Sequence, residues 1–107
     1  MNKSRLLLAV ALLAIVSTSN AQELRDVAQW CYAASDILAK EAGSISEYGV
    51  LRDHLGSVIQ KIYNIDPTEA KINGVSAIKE SATYNRVTME KTSLTFYKEV
   101  CKPVFVQ

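Results

Sequence analysis

The residues best equipped for chemistry are Cys31 and Cys101, the chain's two cysteines, and His54, its one histidine. Sixty-nine residues separate the cysteines, which excludes the CxxC spacing of a dithiol redox centre. Two thiols and one imidazole are also too few to close a tetrahedral zinc site, so no metal centre and no cofactor is expected. His54 follows Arg52 and Asp53, a trio that invites an acid–base reading. Adjacent helix positions diverge by about 100°, however, so Asp53 does not orient His54, and an imidazole beside Leu55 reads as the edge of an apolar face. Ser35 lies on the same helical stripe as Cys31 and reads as a buried hydroxyl bonded back to a helix carbonyl. Glu41 and Glu47 flank Gly43-Ser44 as surface carboxylates round a turn. GxSxG, HExxH, phosphate-loop and EF-hand patterns do not occur. These residues point away from an enzyme.

What the cysteines do depends on where the chain goes. Lys3 and Arg5 precede an apolar run, Leu6 to Val16, and a small polar stretch with Ser19 and Ala21 at positions −3 and −1 before Gln22. That is the layout of a secretory leader, with cleavage expected after Ala21. The run holds 11 residues, whereas a spanning helix needs about 20, so membrane embedding after cleavage is not expected. The expected localisation is periplasmic or secreted. In such an oxidising compartment an intramolecular disulfide Cys31–Cys101 comes ahead of an intermolecular bridge or a free reactive thiol. Closing so long a loop is worth roughly 4 kcal/mol, about half of the 5–10 kcal/mol typical of a small domain.

The elements that must position this pair read as helices. Residues 23–42 place Leu24, Val27, Ala28, Cys31, Ala34, Leu38 and Ala42 on one stripe, with Arg25, Asp26, Gln29, Asp36 and Lys40 covering much of the rest. Gly43 suits the left-handed position after a helix. Ser44 and Glu47 fit a capping box opening a second helix over 45–63, with Tyr48, Leu51, Leu55, Val58, Ile59 and Ile62 inward. Gly49 and Gly56 on that side suggest close approach of a neighbouring helix. Asp66-Pro67 and Glu69 have the N-cap, N1 and N3 chemistry of a third helix. Asn73-Gly74 is read as its end, with a longer helix from Val75 to about Val100 that carries Leu94, Tyr97 and Cys101 on one stripe; a helix running on through Asn73-Gly74 is the alternative. Val-Thr-Met and Leu-Thr-Phe also alternate with period two, but no turn signal divides the segment into a strand pair. Lys102-Pro103 is expected to stop the last helix and leave Val104–Val106 as an apolar tail. The predicted fold is all-α: a small bundle of three to four helices, residues 22–107 forming one domain behind a 1–21 leader, with the disulfide joining first and last helices.

Without Lys3 and Arg5 the chain carries ten basic against eleven acidic side chains. Residues 22–70 sum to −4 and residues 71–107 to +3, so the two parts of the bundle are expected to neutralise one another. Neither has the clustered basic stripe that nucleic acid requires. Aromatic side chains are the more informative group. Trp30 and Tyr32 sit beside Cys31, and Tyr32 falls off the inward stripe, which together with Asp36 makes a candidate partner surface. The leading expectation is a small exported protein-binding module, such as an inhibitor, an immunity-type factor or an accessory subunit. An acid- or stress-responsive periplasmic chaperone and a carrier of a small apolar ligand are the alternatives.

Overall fold

A computed structural model describes residues 21–106. The expected leader therefore falls outside the described residues, apart from Ala21. The described chain is all-helical: α1 Ala21–Ala42, α2 Glu47–Lys61, α3 Pro67–Asn85 and α4 Met89–Phe96. A π-turn, Tyr97–Cys101, continues α4 into a final helical turn, α5, Lys102–Phe105.

α1 is the central element, packed against α2, α3, α4 and the π-turn. This changes the one-stripe reading of the helix. Val27, Ala28, Cys31, Ala34 and Ser35 are buried as expected, but so are Ala33, Gln29 and Asp36. A second helix, α3, occupies the face that charge patterning assigned to water. Small side chains make that possible. Gly74 of α3 lies so close to α1 that a Cβ there would sit 2.5 Å from both Ala33 Cβ and the Gln29 carbonyl oxygen. Asn73 beside it donates to Gln29 Oε1 at 3.0 Å, satisfying an amide that the packing buries. Asn73-Gly74, read in sequence as a helix end, is thus the contact point of a continuous helix. The missing side chain serves close approach, not termination.

The terminators that do act are local. Gly43 takes φ +101° after α1 and donates its N–H to Ala39 O at 2.8 Å. The chain needs three further residues to reverse, so the cap of α2 is Ser46 and not Ser44. Ser46 Oγ accepts from Gly49 N–H at 3.2 Å and donates to Gly43 O at 2.6 Å. Asp66 caps α3 as predicted, accepting from Thr68 N–H at 3.1 Å ahead of Pro67. α3 ends at Arg86, in the left-handed region at φ 58°, and Thr88 caps α4 by accepting from Lys91 N–H at 3.0 Å.

Val27, Cys31, Leu51, Leu55, Ile59, Tyr97, Val100 and Cys101 form the main core. Ile62, expected inward, is 70% exposed because α2 has already ended at Lys61. The Cys31–Cys101 disulfide crosses this core with its Cα atoms 5.6 Å apart. Helix does not stop at Pro103 as predicted. In the π-turn the Lys102 N–H reaches back five residues to Tyr97 O. That widened turn directly precedes Pro103, which has no N–H to donate and whose ring crowds the carbonyl four residues back. One more turn then seats Val104 and Phe105, both half-buried, against the core.

Candidate functional site: a cleft between α3 and α4

Trp30, Tyr32 and Asp36 do not share a surface. Two helix positions are about 200° apart, so Trp30 and Tyr32 leave α1 on opposite sides. Tyr32 points between α2 and α3, its ring edge 3.2 Å from where a Cβ on Gly56 would be, with Lys71 Nζ 6.0 Å above the ring centroid. Asp36 is buried on that side and serves as an electrostatic hub. Lys71, Arg52 and Lys40 approach its carboxylate at 3.5, 3.6 and 3.8 Å. The Asp36–Lys71 pair, like Glu47–Lys102 at 3.9 Å, joins the acidic part of the chain to the basic part. Asp36 and Tyr32 hold α1, α2 and α3 together.

Trp30 faces the other way, into a cleft of about 430 Å³ between α3 and α4. Ile78 and Tyr84 on α3, Val87 in the connection, and Phe96 and Val100 on the last helical segment complete its apolar lining. Each element places its residue by helical spacing. Ile78 and Ser81 with Tyr84 and Asn85 lie at steps of three and four on one face of α3; Lys91, Thr92, Thr95, Phe96 and Glu99 do the same opposite. Trp30 meets Phe96 edge-on, with ring centroids 6.5 Å apart and planes at 61°. Trp30 is adjacent in sequence to Cys31 and Val100 to Cys101, so the disulfide fixes the two residues at the base of the cleft. Tyr84 forms the outer lip and is 67% exposed. The break at 86–88 creates the cleft, since it lets α3 and α4 diverge from a short connection. Sequence reading placed that break at Asn73-Gly74 and so missed the site; Thr88 as an N-cap before Glu90 was the available signal.

The remaining candidates for chemistry are dispersed. His54 is exposed on α2, and its side chain has no hydrogen bond or ion pair among the described residues. Ser35, Ser93 and Thr92 bury hydroxyl oxygens without a partner, so Ser35 does not make the back-bond to a helix carbonyl expected of it. Glu47 accepts from Tyr97 Oη at 2.9 Å, a contact spanning 50 residues. Burial first, and then this bond, push the Tyr97 phenol up to about 12. A shallow crevice lined by Leu38, Tyr48 and Leu94 brings Glu41 of α1 beside Glu90 of α4. A hydrogen bond with Glu41, and the charge of that carboxylate, raise the Glu90 carboxyl above its usual range. Among the described residues no group of three or more His, Cys, Asp or Glu side chains could hold a metal ion. No described helix is long and apolar enough to cross a membrane. No family model, curated protein or solved structure matches this chain.

Proposed function

We propose that this protein is an exported binding protein, without catalysis, that holds a small apolar ligand in the α3–α4 cleft. The observation carrying the reading is the cleft itself: an apolar opening of about 430 Å³ walled by Trp30, Ile78, Tyr84 and Phe96 in a chain of this size. Its volume falls within the roughly 300–1,000 Å³ of small-molecule sites. The leader pattern supports a periplasmic or secreted location, and the buried disulfide suits an oxidising compartment. Trp30, the sole tryptophan, reports on the site directly. Titration with octanol is expected to change its emission saturably, and Thr95→Phe, which puts a ring into the cleft without adding a second tryptophan, to abolish the binding isotherm. Absence of saturable binding in a folded sample rejects the reading.

A second reading, a protein-binding module, draws on a different observation. Ile45 and Val50, at the α1–α2 turn and the start of α2, are 95% and 61% exposed. Exposed apolar side chains this close in sequence suit a partner surface. Affinity capture from periplasmic extract with wild-type and Ile45→Asp/Val50→Asp protein tests it. A stoichiometric partner lost only in the variant supports the reading; identical capture by both removes it.

A further inference from the structure

The cleft is apolar at its base but not electrically neutral at its rim. Three charged side chains line it: Glu80 from α3, Glu99 from the π-turn and Lys91 from the start of α4. All three are exposed, and none has an ion pair or side-chain hydrogen bond among the described residues. This separates them from Asp36, whose charge is already met by three cations, and from Glu47, which has Tyr97 and Lys102. Their placement along the cleft is asymmetric. Lys91 lies in the first turn of α4, next to the 86–88 connection, whereas Glu80 is five residues before Asn85 and Glu99 ten residues into the last helical segment. At 1.5 Å per residue, Glu80 stands about 7.5 Å and Glu99 about 15 Å along the helices from that connection. The lining is therefore net negative, with its one positive charge nearest the connection and a carboxylate on each of the two walls farther along.

We propose that the ligand of this cleft is an amphiphilic cation: an apolar chain or ring carrying one ammonium-type charge. The inference rests on the reading of the cleft as a ligand site and adds the ligand's charge. The apolar body fills the space over Trp30, Ile78 and Phe96, while the cationic head lies toward Glu80 and Glu99, away from Lys91. An anionic amphiphile of the same shape would face two carboxylates with a single ammonium to offset them. The neutral isostere gains the apolar burial alone. Each carboxylate is solvent-exposed, so the selectivity is modest, on the order of three- to ten-fold, and falls with salt.

The experiment compares octyltrimethylammonium, octanol and octanoate, each below its micelle concentration, by Trp30 emission and by chemical-shift titration of the folded protein. The expected order is the cation tightest, the alcohol about three- to ten-fold weaker and the carboxylate weakest. Glu80→Gln/Glu99→Gln should bring the cation to the affinity of octanol without changing octanol binding. In wild-type protein, raising the salt from 20 mM to 500 mM should shrink the preference in the same direction. Octanol or octanoate binding as tightly as the cation overturns the inference while leaving the ligand-site reading standing. Failure of all three ligands to bind overturns both. A cation preference that survives the double substitution, or that ignores salt in the wild type, also overturns the assignment to Glu80 and Glu99.

Discussion

Replacing Gly74 by alanine puts the packing of α1 against α3 to a direct test, because two opposed effects of known size meet at one atom. In a helix interior alanine is favoured over glycine by about 1 kcal/mol. At Gly74 the added Cβ would stand 2.5 Å from Ala33 Cβ and 2.5 Å from the Gln29 carbonyl oxygen. Carbon neighbours prefer about 3.5–4.0 Å, so one helix must retreat by about 1 Å. The Gln29 obstacle is backbone and cannot swing aside. Overpacking of a well-filled interface costs typically 1–3 kcal/mol, and a rigid obstacle places this site at the upper end. The expected net effect is a destabilisation of about 1–2 kcal/mol. Gly56→Ala is the matched control. There the new Cβ meets only the Tyr32 ring, 3.2 Å away, and a side chain can move. Helix propensity should then dominate, leaving that variant as stable as wild type or more stable by up to about 1 kcal/mol. Urea unfolding followed by circular dichroism resolves the difference. A Gly74→Ala protein at least as stable as wild type would refute the close approach, and with it the reason α3 continues through Asn73-Gly74.

Three further outcomes are expected. Cys31→Ala/Cys101→Ala should cost about 2–5 kcal/mol, since the bond closes a loop with a sequence separation of 70; a midpoint within experimental error of wild type, or no response to reductant, would contradict this. Asp36→Ala should cost about 1–3 kcal/mol, because the carboxylate is buried while its three cationic partners are partly hydrated. The loss should shrink at high salt, and a salt-independent loss would point to packing alone. For Tyr97 the sign follows from a phenol raised from 10.0 to about 12 in the folded protein. The neutral form is favoured by folding, so its contribution is complete below pH 10 and is lost as pH rises from 10 through 12. Absorbance at 295 nm should show one tyrosine ionising last, together with alkaline loss of stability, and Tyr97→Phe should remove that late step.

Legibility in the sequence followed the range of the interaction. Asp66-Pro67 announces the start of α3 because the cap and the N1 preference act within three residues, and Gly43 marks the end of α1 for the same reason. Ser44 and Ser46 are two residues apart with equivalent chemistry, and the choice between them depends on how many residues the chain needs to turn after Gly43. Asn73-Gly74 misled because its signal is real but its cause is tertiary: a glycine required by a neighbouring helix looks like a glycine that ends its own. The cleft was hidden by the same error, since its walls exist only if α3 runs to Asn85 and the break falls at 86–88.

By itself the sequence determined the helical class, the count of cysteines that could pair and the apolar steps that bury Val27, Cys31, Leu51 and Leu55, because periodicity and covalent chemistry are properties of the chain. Only the tertiary structure decided that α1 is covered on more than one side. It also buried Asp36 among three cations, and aimed Trp30 away from Tyr32 into a cleft. Those outcomes depend on which helix packs on which face, and α3 settles that by an approach at Gly74 too close to admit a methyl group, which no local pattern in the chain reveals.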